Sequence, residues 1–66
     1  MTAIITLKTG KEISVNNISL IKEFFIDQTT EITDFKEFAI FDGLYTFIGD
    51  NIVSVNAQDI LAVNFF

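Results

Sequence analysis

Apolar and polar positions alternate from the first residues of the chain. Ile5 and Leu7 fall on one side, with Ile4 and Thr6 on the other, which is the two-residue period of a β-strand. Thr9-Gly10 supplies a tight turn. The returning stretch, Glu12 to Val15, sets Ile13 and Val15 on one face, so this region reads as a β-hairpin. A second pair is equally clear: Leu44 to Ile48 and Ile52 to Val55 flank the turn Gly49-Asp50-Asn51. Asn56-Ala57-Gln58-Asp59 then interrupts the pattern, and Leu61 to Phe66 resumes it as a terminal strand.

Two segments carry mixed signals. In Ile18 to Ile26, Asn16 or Asn17 would cap a helix with Ile18, Ile21 and Phe25 on one face. Read as a strand, Leu20, Lys22 and Phe24 oppose Ile21, Glu23 and Phe25, and the β-branched and aromatic content tips the balance that way. In Phe35 to Phe41, Asp34 followed by Glu37 suggests a capping box and a short helix, whereas the Phe-rich alternation suggests a strand ending at Asp42-Gly43. Residues 27–34 are polar and read as a loop. The expected fold class is therefore all-β, a five- to six-stranded small barrel or strongly bent antiparallel sheet. The alternative is α+β, with short helices near 17–26 or 34–41.

The end of the chain echoes its beginning. Ile13-Ser14-Val15-Asn16 returns as Val53-Ser54-Val55-Asn56, each after a Gly-containing turn and each ahead of a Phe pair, Phe24-Phe25 or Phe65-Phe66. Two copies of one supersecondary unit can share a core. The chain is thus read as a single domain, 1–66, with a pseudo-repeat over 5–25 and 45–66 and an insert at 26–43.

Composition narrows the picture. A chain of 66 residues buries only about 60% of its unfolded surface, so its stability needs a supplement. With no Cys and no His, disulfides, thiolate nucleophiles and the common zinc sites are excluded. An unusually apolar core or oligomerisation remains, and 50% hydrophobic content with eight Phe suits both. No apolar run approaches the ~20 residues that span a bilayer, and Met1-Thr2-Ala3 lacks the basic start of a signal peptide. The expectation is a cytoplasmic protein that does not bind membranes. Net charge is −5, no Arg occurs, and no cation follows Lys36. Phosphate backbones need clustered cations, so nucleic acid is not expected as a partner.

Ile48-Gly49-Asp50-Asn51-Ile52 resembles the second signature of Sm-like proteins, and Ile5-x-Leu7-Lys8-x-Gly10-Lys11-x-Ile13 looks like the front of their first. The polar turn before the closing strand is likewise how small SH3-like barrels commonly end. The resemblance implies a small twisted barrel. It does not carry RNA binding across, because the base-holding Arg of that family has no counterpart here and Val15 stands at a position where the family has Gly.

The candidate chemistry is sparse. Ser14, Ser19 and Ser54 have no His to activate them, and neither hairpin glycine turn, at Gly10 or Gly49, is followed by the Lys-Ser or Lys-Thr of a phosphate loop. No catalytic residue, cofactor or metal site is expected. Glu23, Asp27, Glu31 and Asp34 would form a carboxylate stripe on a helix, but like charges one turn apart oppose that helix; a solvated loop is the stronger reading. Adjacent residues of a strand face opposite sides, so one ring of each pair, Phe24-Phe25 and Phe65-Phe66, should be exposed. These rings, with Asp27, Glu31 and Asp34, are the candidate partner-binding residues. The expected function is a non-enzymatic protein-interaction module, acting as a homo-oligomer or as an adaptor to a larger partner. The alternative is a small acidic inhibitor, of phage or mobile-element origin, that binds a basic surface of a host nucleic-acid enzyme.

Overall fold

A computed structural model covers residues 1–66 and shows an all-β protein with seven strands and no α-helix. These are β1 (Ala3–Leu7), β2 (Glu12–Val15), β3 (Leu20–Phe25), β4 (Gln28–Ile32), β5 (Leu44–Ile48), β6 (Ile52–Asn56) and β7 (Ile60–Phe65). One 3₁₀ turn, Ala57–Asp59, precedes β7. The strands form two antiparallel sheets, ordered β2-β1-β7 and β4-β3-β5-β6, which do not join into a closed barrel. No helix is long and apolar enough to cross a membrane.

The two halves of the chain pair across one another. The third strand of each half pairs with the first strand of the other: β7 lies on β1, and β3 lies on β5. The inward-facing rows match across the halves. Ile5 sits between Ile13 and Val63, and Phe47 sits between Val53 and Ile21. Ala3 sits between Val15 and Phe65, and Tyr45 sits between Val55 and Glu23. Ala3, Ile5, Ile21, Tyr45 and Phe47 are completely buried. The tetrads over β2 and β6 are therefore structural equivalents. The Phe pairs are not, because Phe65 occupies the place of Glu23.

Three sequence expectations change. Residues 28–32 form a strand, not a loop, which brings the count to seven where five or six were expected: Gln28 to Ile32 pairs with Ile21 to Phe25 although its side chains are mostly exposed. The helix at 17–26 is replaced by β3, and Asn17 is a left-handed turn residue with φ 52° rather than a cap. The segment 34–41 is neither helix nor strand. The Asp34 carboxylate accepts a bond from the Lys36 N–H at 3.1 Å, which closes a local turn in place of a capping box.

That irregular segment completes the core between the two sheets. Phe38 meets Tyr45, Phe47 and Phe65 edge-on, with centroids 5.8, 6.3 and 5.7 Å away. Phe35 stacks on Phe65 at 5.2 Å. Aromatic pairs in these geometries add to the energy of burial itself. Phe38→Ala should cost about 2 kcal/mol, less than a fully buried ring because Phe38 is partly buried, while Phe41→Ala, whose ring is 75% exposed, should leave the urea midpoint nearly unchanged. Equal losses for the two variants would remove Phe38 from the core.

The two hairpin turns differ in a second testable way. A Cβ at Gly49 would lie 2.5 Å from the Asn16 carbonyl and 2.9 Å from Val15 Cγ1, because the β5–β6 turn rests against the β2–β3 turn. At Gly10 nothing lies within 4 Å, but φ is +94°. Gly10→Ala should therefore cost about 1–2 kcal/mol, the left-handed penalty alone, and Gly49→Ala more, because backbone must move. Thermal unfolding of the two variants measures the order directly.

Candidate functional site

Five exposed apolar residues gather at one end of the four-stranded sheet. Phe24 and Leu44 are cross-strand partners and share the outer face. Phe25 ends β3 on the inner side, and the chain then turns through Ile26 and Asp27 to reach Gln28. Gly43 passes so close that a Cβ there would touch the Phe24 carbonyl and, at 3.0 Å, Phe25 Cβ. Phe41 is tethered to the same end by its N–H, which donates to the Tyr45 hydroxyl at 3.0 Å. Phe24, Phe25, Ile26, Phe41 and Leu44 are all exposed.

Ile26 stands out physically. It has φ 45° and Asp27 has φ 59°, the signs a two-residue type I′ turn requires. Asn or Gly is the residue that suits the first of these positions. A β-branched residue with positive φ is a conformational outlier, and such strain costs on the order of 1–3 kcal/mol. Here the strained residue is also 72% exposed, so it gains little from burial in return.

Carboxylates adjoin this tip. Asp27 follows Ile26, and Asp42 follows Phe41 in the sequence. Asp42 also lines a cleft of about 210 Å³ with Gly43, Asn56, Ala57 and Gln58. Of the other acids, Glu31 pairs loosely with Lys22 at 4.0 Å, an exposed contact of small energy, and Asp34 closes the turn at Lys36. The helical stripe considered for Glu23, Asp27, Glu31 and Asp34 does not form, because strand alternation sends Glu23 to the inner face and Glu31 to the outer one.

The two Phe pairs behave differently. Phe65 is half-buried against Phe35 and Phe38, and Phe66 is exposed beside Thr2, with which it exchanges two backbone hydrogen bonds of 2.8 Å. That pair divides one ring in and one ring out, as alternation requires. Phe24 and Phe25 are both about half exposed, because β3 ends there and the inner face beyond Glu23 is open. Of the seven candidate residues, Phe24, Phe25 and Asp27 lie together at this tip and Phe65, Phe66, Glu31 and Asp34 lie elsewhere; Ile26, Phe41 and Leu44 join the tip and were not among the candidates. The visible signal was an Ile at a hairpin tip in front of Asp, where Asn-Gly would be usual.

Beneath the tip, the Tyr45 hydroxyl donates a short hydrogen bond to Glu23 Oε2 while accepting from the Phe41 N–H. This link holds the covering segment to the sheet. Burial first, and the Glu23 bond second, push the Tyr45 hydroxyl up to about 12.

The unfolded chain ionises near the ordinary value of 10.0. Between about pH 10 and 12 the unfolded state therefore binds fewer protons than the folded one, and stability falls as pH rises. Tyr45 is the sole Tyr, so phenolate absorbance reports it alone. Its midpoint should lie near 12 in the folded protein and near 10 in urea, and Tyr45→Phe should lose this component of alkaline unfolding. A folded midpoint near 10 would refute the buried link. No protein-family model, curated protein or solved structure matches this chain, so the geometry alone bears on its function.

Proposed function

We propose that the chain is a non-enzymatic, cytoplasmic protein-interaction module on an open SH3- or Sm-like small barrel, binding a protein partner through the tip formed by Phe24, Phe25, Ile26, Phe41 and Leu44. The observation that carries this reading is Ile26, a β-branched side chain held exposed at positive φ. The fold does not need it there, and the strain is explained if a partner buries the side chain. Exposed apolar clusters rimmed by polar groups commonly mark interfaces. Buried aromatic anchors supply most of the energy of such contacts.

The partner is either a second copy of the chain or a larger protein for which this one is an adaptor. Asp27 and Asp42 favour a basic rim around the partner's apolar pocket. That observation also supports the second reading, a small acidic inhibitor from a phage or mobile element that covers a basic surface of a host nucleic-acid enzyme. In that case affinity falls steeply with ionic strength.

Ile26→Asn separates stability from binding. It should raise stability by about 1 kcal/mol through relief of the left-handed strain, and it should weaken partner binding. Light scattering across concentration checks self-association of the wild type, Ile26→Asn and the double variant Phe24→Ser/Phe41→Ser. If all are monomers, cross-linking in host lysate should give a wild-type adduct that both variants lose. Lower stability of Ile26→Asn, or adducts and masses unchanged in all three proteins, would sink the proposal.

A further inference from the structure

β2 and β6 are edge strands of different sheets, and they border a common seam. One end of the seam is tied by Asn51 Nδ2 donating to the Ser14 carbonyl at 3.1 Å and the Asp50 N–H donating to the Asn16 carbonyl at 2.9 Å. The other end is tied by the Lys8 N–H donating to the Asp59 carbonyl at 2.9 Å. Between the ties lies a groove of about 430 Å³, within the range of about 300–1,000 Å³ typical of ligand sites. Its apolar lining is Leu7, Ile13, Val53 and Val55, which are partly buried core neighbours or belong to the inward-facing rows.

The edge of β6 is free for pairing. The Ala57 N–H donates to the Gly43 carbonyl, and the Gly49 N–H donates to the Asn51 carbonyl. With Tyr45 opposite Val55 and Phe47 opposite Val53, antiparallel alternation directs the backbone groups of Val53 and Val55 to β5. Those of Ile52, Ser54 and Asn56 turn toward the seam. By the same alternation the seam side of β2 presents Glu12 and Ser14, and the Ser14 carbonyl is already capped by Asn51.

We propose that this seam takes an extended peptide segment of a protein partner. The segment adds as a strand to the open edge of β6 and sets alternate apolar side chains on Leu7, Ile13, Val53 and Val55. Three features select this occupant. Unpaired N–H and C=O groups at two-residue spacing are complemented by extended backbone. An apolar floor under such an edge reads every second side chain. Both ends of the window are closed by turns, so a single strand about as long as the five-residue β6 enters where the edge of a second folded copy is blocked. Lys8 and Asp59, one charge of each sign, sit at one end of the groove, so binding here is insensitive to salt. This surface is separate from the apolar tip.

The test uses the full chain and a fluorescein-labelled, end-capped hexapeptide of alternating Thr and Val. Backbone NMR should show the Ile52, Ser54 and Asn56 amides and the Val53 and Val55 methyls shifting on titration. N-methylation of alternate peptide amides on the β6-facing edge should weaken binding about tenfold or more, the scale of lost backbone hydrogen bonds. Ser54→Pro removes one outward N–H on an edge strand, where Pro is tolerated, and should weaken binding similarly. If that variant does not fold, the N-methylated probe on the wild type decides alone. No binding at millimolar peptide, equal affinity of the N-methylated probe, or shifts confined to Phe24, Phe25 and Phe41 would overturn the proposal. So would broadening of the seam amides with protein concentration in the absence of peptide, which would assign the seam to a second copy.

Discussion

Cross-pairing of the two halves is the constraint from which the rest of this structure follows. Neither hairpin, β1–β2 or β5–β6, can bury its apolar face alone, since a two-stranded ribbon has only marginal stability in water. β7 on β1 and β3 on β5 turn each ribbon into a sheet of three or more strands. The inner rows that result, Ile13-Ile5-Val63 and Val53-Phe47-Ile21, face a shared interior. Phe35 and Phe38, from the segment between β4 and β5, fill what the strands leave open. The partner surfaces then arise where this scheme stops: the tip, where β3 and β5 run past their cover, and the seam, where β2 and β6 fail to meet.

Much of the fold was legible in the sequence, for a physical reason. β1, β2, β5 and β6 have one face in the core and one outside, so their apolar residues alternate. The terminal strand after a polar turn was legible too, because Asn56-Ala57-Gln58-Asp59 breaks the pattern cleanly. β4 was not, because Gln28-Thr29-Thr30-Glu31 is exposed on nearly every residue and is held by backbone pairing with β3, which leaves no hydropathy signal. Phe35 to Phe41 misled in the opposite sense. The Phe35 and Phe38 rings enter the core from an irregular backbone, and side-chain burial without a repeating dihedral mimics both periods.

The echo and the site show the same division. The tetrads hold matching register positions in β2 and β6, whereas the Phe pairs do not, because Phe65 aligns with Glu23. Where the second half places an aromatic ring, the first places a carboxylate that receives the Tyr45 hydroxyl. One inward position thus became a polar anchor for the covering segment. Pattern alone cannot reveal such an anchor, because a carboxylate on the same face as Ile21 and Phe25 reads only as a break in the apolar row. Phe41 and Leu44 escaped notice because they look like core residues until the turn at Gly43 brings them to the surface.

The pairing of β1 with β7 also sets the order in which the protein can assemble. All four strands of the larger sheet are present once Asn56 has been made, and each has a partner close to it in the chain. The smaller sheet joins residues from opposite ends of the sequence, so its closure waits for Phe65 and carries the entropy of the longest loop in the molecule. Until β7 has been made, the β1–β2 hairpin therefore keeps one side of β1 unpaired. Ile4, Thr6 and their neighbours form the segment most exposed to wrong partners during that interval.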